Sequence, residues 1–518
     1  MSAGRRPPAG GARRESSGWR WHCRGGCTII AATMSPARRS SHSAHRRRRP
    51  LSAVAGTLLA LIACTALAGA AAESGDVLEL EQWYIGDLNG QPAMSIHAAV
   101  SRHPGGLRRD SMDTKVVINR SLAGTSIRFE VEDLQRIEED AAGMVASFQL
   151  DHRENEQSVS ATGRIVAGEV VATVHHLGLA DEVRLPIPPG AKLLGQQASQ
   201  DLLAKRSWKP GDQEHFAGLA MLSNQVCIVQ TTATFNHALA NGDEVFDVVM
   251  DLMPVPTTMT LTPKGDMVGM TMALGFISIA VRQSKGPVPL EGAELAPTGL
   301  VTAAGPAPTA GPRNRYRLPA NASVALDEFQ TQQGAEVTVT SQTAPSTLAD
   351  PTVFLRAEPQ LEIDDPEMRA WVEGIAAAHR GSSAELAENL RLAVRAYIVH
   401  KDLSMGDATA LEAFRERRGD CTEHANLLCA ALRIAGIPAR VECGLVYADS
   451  FGGWVGHAWN SAYVDGRWIH LDSAYPGVER SCYLKLGSTS GGPWQNTGAA
   501  MLGNLAKVMG KTIETLAP

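Results

Sequence analysis

The chain has 518 residues, of which 44% are hydrophobic and 20% charged, with a net charge of −6. This composition allows sizeable cores over roughly three domains and excludes a wholly disordered or collagen-like chain. The charge is unevenly split. Residues 1–50 hold twelve Arg and no Lys against one Glu, which is +11, and the remainder carries −17. An acidic body argues against a nucleic-acid partner, because phosphate binding needs clustered Lys and Arg.

The Arg run ends at Arg46–Arg49, and an uncharged apolar stretch from Leu51 to Ala72 follows Pro50. Positive flank, apolar centre and small-residue end (Ala68, Ala70, Ala72) together predict an export signal cleaved before Glu73. Leu61-Ile62-Ala63-Cys64 also resembles the lipobox of bacterial lipoproteins, which would acylate Cys64. A retained membrane anchor is a third reading of the same stretch. Met34 offers a second start for a more ordinary signal. Residues 1–75 are thus read as tail plus signal or anchor, and the expected location is the periplasm or cell envelope, with membrane association through this segment. Of eight cysteines, Cys227, Cys421, Cys429, Cys443 and Cys482 lie beyond it. An odd number outside the cytoplasm leaves at least one thiol unpaired within the chain.

Residues 76–285 read as an antiparallel β region of one or two modules. Lys115–Ile118, Ser126–Glu132, Met144–Asp151, Ser158–Val166 and Glu169–Val174 form a first set of β-type runs, several with polar–apolar alternation. Val245–Leu252, Thr257–Leu261 and Met267–Ala273 form a second set. Residues 286–349 are a Pro/Ala/Gly-rich linker with short strands such as Ala335–Ser341.

Helical periodicity takes over in residues 350–485. Asp364-Asp365-Pro366-Glu367 is a helix start, with acid at the cap and Pro in the first turn. Ser382-Ser383-Ala384-Glu385 fits a capping box, and Leu386, Leu390, Val394, Tyr397 and Ile398 mark a buried face behind it. A shorter helix is expected over Ala408–Arg417, and residues 486–518 are left as a C-terminal tail.

The chemistry concentrates between Gly419 and Pro476. Asp420 and Glu423 have capping-box spacing, so Cys421 is the first residue of a helix that Gly436 and Pro438 close. Unpaired N–H groups and the helix dipole favour a thiolate there. Cys429 reads as an ordinary buried cysteine. It cannot bridge to Cys421, because eight residues of helix separate them by about 12 Å.

A base should lie near. Asp465-Gly466 between β-type runs is a two-residue hairpin signal, which pairs Val464 with Arg467 and sets Asp472 opposite Trp459. His457 is then diagonal to Asp472, roughly 7–8 Å away at the backbone, a gap that side chains bridge. Nucleophile, base and orienting carboxylate are thus Cys421, His457 and Asp472. His470 falls on the same hairpin face, opposite Ser461, as a packed or surface histidine. His424, one turn after Cys421, faces the site or, as the preferred reading, the helix surface. The CxxH spacing of Cys421 and His424 is too weak to argue a metal site, and no cofactor is expected. Trp454, Trp459 and Trp468 are expected as core or cleft walls.

In the order GDCTEHA (419–425), GIPAR (436–440), GHAW (456–459) and WIHLD (468–472), the sequence resembles the transglutaminase-like superfamily. The resemblance covers roughly residues 350–480. It implies an α+β fold with a papain-like core of helices and antiparallel sheet, and a Cys–His–Asp triad carried here by Cys421, His457 and Asp472. Exported bacterial members share the layout of a β region before the core. The resemblance further implies a cysteine enzyme acting on peptide or protein amides, with water or an amine as acceptor. A non-catalytic envelope binding or assembly protein on the same fold is the alternative from another class. The Cys421 backbone N–H is one expected oxyanion donor; the second has no matching residue.

Overall fold

Polar–apolar alternation builds the first half of the molecule into strands, because a period of two sends every second side chain to one sheet face. A computed structural model of the protein describes residues 76–122, 125–204, 207–222, 224–253, 255–275, 277–295, 301–401, 408–475, 477–488, 490 and 503–517. The export segment with Cys64 lies outside the described residues. Among the described residues no helix is long and apolar enough to cross a membrane.

Fourteen strands form the main sheet. They are β1 (Val77–Leu88), β2 (Gln91–Arg102), β3 (Arg108–Leu122), β4 (Thr125–Glu139), β5 (Val145–Glu154), β6 (Gln157–Val166), β7 (Glu169–His176), β8 (Leu179–Pro186), β9 (Gln213–Leu222), β10 (Gln225–Ala238), β11 (Glu244–Met250), β12 (Thr257–Leu261), β13 (Met267–Leu274) and β14 (Ile277–Ser284). Neighbours in sequence pair antiparallel except β8 and β9, which end the strand order, and β1 pairs antiparallel with β14, so both sets of β-type runs join one sheet. The sheet coils on itself. Val145 N–H donates to Leu193 O and Leu194 N–H to Ala217 O, which bridges β5 and β9. Phe148, Leu150 and Ala161 consequently share a core with Leu219, Met221 and Ile228. Helix α1 (Gln196–Ala204) follows this bridge and is capped by Asp110, whose Oδ2 accepts from Gln197 N–H at 2.8 Å.

The Pro-rich segment contributes β15 (Ala293–Leu295), which adds parallel to β3, and β16 (Thr302–Ala304). A five-stranded sheet combines β16 with β17 (Arg313–Arg317), β18 (Gln330–Gln333), β19 (Glu336–Thr340) and, from the end of the chain, β26 (Thr512–Leu516). The C-terminal stretch thus returns to pair between β16 and β17.

Helices α2 (Pro366–Ala378), α3 (Ser383–Tyr397), α4 (Ala410–Glu416) and α5 (Cys421–Ile434) follow, with Asp365, Ser382 and Asp420 as caps at the expected positions. Two-residue strands β20 (His400–Lys401) and β21 (Arg418–Gly419) pair just before α5. The last sheet holds β22 (Ala439–Ala448), β23 (Gly453–Val464), β24 (Arg467–Leu471) and β25 (Tyr483–Ser488), in the order β24-β23-β22-β25. The fold is α+β, a helix-and-sheet core behind a β-rich region. Phe129 and Met259 of the main sheet, Tyr316 and Val337 of the second and Trp454 and Leu484 of the last belong to one apolar cluster.

Candidate active site

Helix α5 begins where its sequence says it should. Thr422 N–H donates to Asp420 Oδ1 at 2.9 Å, and Asp420 N–H donates to Glu423 Oε2 at 2.7 Å. Glu423 is fully buried, and burial, then the charge of Asp420, pushes its carboxyl well above the usual range. Gly419 has φ +145°, and a Cβ there would stand 2.3 Å from Glu423 Cβ, so only glycine fits before the cap. Every residue from Cys421 to Arg433 is buried. The helix is therefore enclosed on all sides rather than laid on the surface.

The hairpin follows the register set by its turn. Asp465 and Gly466 both have positive φ, 49° and 76°, the conformation of a type I′ turn. Val464 pairs with Arg467 and Ser461 with His470. The ladder ends at Leu471, opposite Asn460, and Asp472 stands one residue past it. From there its Oδ2 reaches His457 Nε2 at 2.7 Å, both side chains being buried.

Asp472 is held by more than the histidine. Ala474 and Tyr475 N–H groups each donate to Oδ1 at 2.8 Å, and the Tyr483 hydroxyl donates to Oδ2 at 2.8 Å. Burial alone would raise this carboxyl. The charge and hydrogen bond of His457, with the Tyr475 N–H, overcome burial and hold it well below the usual range. The Asp472 carboxylate is therefore charged at neutral pH. With Nε2 engaged, His457 Nδ1 is buried and has no hydrogen-bond partner.

Two sets of bonds tie the start of α5 to this pair, and a third ties α3 to it. Ser473 Oγ donates to His424 O at 3.2 Å and lies 3.3 Å from His424 Nδ1. Asn460 Nδ2 donates to Ala425 O at 2.9 Å. Arg391 and Arg395 of α3 donate to the carbonyls of Asp472 and Ser473 at 3.1 and 3.3 Å. The first turn of α5, which carries Cys421, is thus stitched to β23 and to the residue after Asp472. Cys421 itself is 2% exposed.

Of the remaining residues, His424 departs from expectation. His424 is not a helix-surface residue: it is fully buried and bonds the Asp472 loop, because α5 is enclosed. His470 is a packed histidine with covered ring nitrogens, pushed down to about 3 by burial and then by the Arg480 guanidinium, so it stays neutral. Trp454, Trp459 and Trp468 are buried in the core. The five described cysteines are thiols rather than disulfides. Burial pushes the Cys429 thiol up to about 11, as suits an inert core cysteine. Among the described residues no three His, Cys, Asp or Glu side chains are grouped to hold a metal. Tyr483 carries no sequence signal for its role, since it comes from β25, across β22 from the hairpin. Arg391 likewise gives no signal beyond its place on a helix.

Comparison with known proteins finds one family model and several solved structures. Residues 369–473 match the model of the transglutaminase-like superfamily. No curated protein matches the chain. Among solved structures, a β-barrel-like protein of a domain of unknown function from Brucella abortus is 14% identical with a TM-score of 0.30, over 40% of this chain and 98% of that one. A protein described as a "putative cysteine protease" from Cytophaga hutchinsonii is 15% identical with a TM-score of 0.25, over 36% of this chain and 76% of that one. A "putative protease" from Parabacteroides distasonis is 12% identical with a TM-score of 0.19, over 69% and 65%. Over residues 369–473, which hold Cys421, His457 and Asp472, this chain is similar to the transglutaminase-like superfamily.

Proposed function

We propose that the protein is an exported thiol enzyme that opens amide bonds of peptide or cell-envelope material through Cys421, His457 and Asp472. The observation that carries this reading is the 2.7 Å bond from His457 Nε2 to a buried, charged Asp472, which leaves Nδ1 to serve a nucleophile. Cys421 heads the helix stitched beside that pair, where unpaired backbone N–H groups favour negative charge on sulfur.

In the reaction, His457 Nδ1 takes the Cys421 proton as Sγ attacks the carbonyl carbon. The tetrahedral oxyanion collapses, the C–N bond breaks, and His457 returns the proton to the leaving amine. Water, deprotonated by His457, then cleaves the thioester and regenerates the thiol. Asp472 fixes the tautomer with the proton on Nε2 and stabilises the imidazolium. The Cys421 backbone N–H is one oxyanion donor. The basic flank and apolar stretch of residues 46–72 support export and association with the membrane.

The test is an activity screen of wild-type protein and Cys421→Ala against peptides, peptidoglycan and glutamine-containing proteins, with and without a primary amine. Release of new amino termini or ammonia by wild type alone is expected. Amine incorporation without hydrolysis would make the enzyme a cross-linking acyltransferase instead, and equal inactivity of both proteins on every substrate would favour a binding role.

A further inference from the structure

The main sheet carries a groove of about 880 Å³ on its polar face, within the size range of ligand sites. A single cross-strand row forms its floor. Register partners run unbroken from Trp83 on β1 through Asp113 on β3 and Asp151 on β5 to His175 on β7. Six inter-strand steps of about 4.8 Å make this row about 29 Å long. The groove is thus long enough for a chain-like ligand rather than a single small metabolite. One end is walled by Trp83 stacked on His97, with ring centroids 3.8 Å apart and planes 13° from parallel. The other end is the β7–β8 turn, Leu177–Gly178.

The cations of the groove are tied up by acids, and carboxylates are in excess: Asp113, Glu132, Asp133 and Asp151 line it against Lys115 and Arg153. Lys115 is bonded by Glu130 and Glu132 at 2.6 and 2.9 Å, and Arg153 pairs with the same Glu132. His97 meets Glu81 at 2.9 Å, and His152 meets Asp133 at 2.6 Å. Cations already neutralised by neighbouring acids offer little to an anionic polymer or a lipid headgroup. Four carboxylates in the lining would be left desolvated under an acyl chain. What it does offer is fixed donors and acceptors in rows, with Ser95, Ser158, Ser160 and the Asp113 and Asp151 carboxylates beside an aromatic wall. His152, 4% exposed, lies under the same surface with its Nε2 3.4 Å from Glu154 Oε1. Carboxylate and hydroxyl acceptors in rows over about 29 Å, with one aromatic end, match an uncharged, hydroxyl-rich chain.

We infer that this groove binds a neutral oligosaccharide strand. Its turn end rests on the C-terminal core. His176 Nε2 lies 3.2 Å from Glu412 Oε1 on α4, and Leu177 packs against the apolar core that includes Cys421. A strand held here ends beside the segment leading into α5. The groove would therefore hold the glycan portion of a substrate whose amide reaches the thiol. Glycan binding itself does not depend on the catalytic reading.

The test is calorimetric titration of full-length protein with chitohexaose and cellohexaose, beside heparin hexasaccharide, hexalysine and hexaglutamate. Binding of a neutral hexasaccharide is expected, weakened at least tenfold by Trp83→Ala and by Asp151→Asn. Iodoacetamide labelling of Cys421 in both variants should match wild type, which separates groove damage from unfolding. Preference for either peptide or for heparin overturns the assignment. So does a lack of binding to both neutral sugars at millimolar concentration, or unchanged affinity in both folded variants. If the sugars bind and Cys421 proves unreactive, the groove stands and the catalytic proposal falls.

Discussion

Replacing Asp472 with Asn tests the orienting role with almost no change in shape. Oδ1 accepts from two backbone N–H groups, and Oδ2 accepts from His457 and Tyr483. An amide has only one accepting oxygen, so one of these sides must meet an NH₂ group. The backbone donors cannot reverse, whereas a tyrosine hydroxyl and an imidazole tautomer can. The Asn oxygen therefore stays on Ala474 and Tyr475, and its NH₂ group faces the histidine. His457 then carries its proton on Nδ1, the nitrogen proposed to receive the Cys421 proton. A charge-assisted bond of about 1.5–3 kcal/mol is lost, which is roughly a 10- to 150-fold fall in thiolate-dependent rate. The assay is the rate of iodoacetamide labelling at Cys421 from pH 6 to 9, read by peptide mapping, with a thermal melt beside it. A melt close to wild type with labelling slowed in that range is expected. Labelling at the wild-type rate across the whole range would refute the orienting role.

Tyr483→Phe should cost about 1.5–3 kcal/mol, the typical worth of a hydrogen bond to a charged group. Asp472 has a depressed folded value, so its stabilisation is present above the ordinary carboxylate range and lost as pH falls below it. Loss of the hydroxyl weakens that depression, so acid unfolding followed by circular dichroism should move to higher pH; an unmoved acid transition contradicts it. Gly419→Ala should destabilise the protein by roughly 1–3 kcal/mol, through the clash with Glu423, and slow Cys421 labelling because the cap shifts. A neutral melt would mean the cap tolerates a side chain. Burial, then the Asp110 charge, raises the Glu139 carboxyl to about 8. The folded state therefore holds a proton that the unfolded chain releases, and stability falls as pH rises from the ordinary carboxylate range through about 8. Glu139→Gln should raise the melting temperature at pH 8 more than at pH 5, and an equal effect at both would remove Glu139 as the cause.

The parts of the site that were legible in sequence are those fixed by local geometry. A capping box dictates the residue at which α5 starts, and hence the position of Cys421. An Asp-Gly turn fixes register by itself, so the diagonal from His457 to Asp472 follows from counting residues. What stayed hidden depends on non-local packing. Tyr483 reaches Asp472 because β25 pairs with β22 and not with the hairpin strands on either side. His424 was read as exposed because a first-turn position gives no hint of enclosure. The run from Ala425 to Leu432, apolar on nearly every side of the helix, was the available signal. Alternation likewise revealed most strands of the β region, but not that β1 closes against β14. That pairing joins residues nearly two hundred positions apart.

The central claim is that Cys421 forms an acyl-enzyme with His457 as its base. Its most direct test is mass spectrometry of the protein after brief reaction with p-nitrophenyl acetate, with the adduct mapped by proteolysis. An acetyl group on Cys421 is expected in wild type, ahead of Cys227, Cys429, Cys443 and Cys482, and its loss in a folded His457→Ala variant. Acetylation spread evenly over the cysteines, or retained at Cys421 without His457, would contradict it.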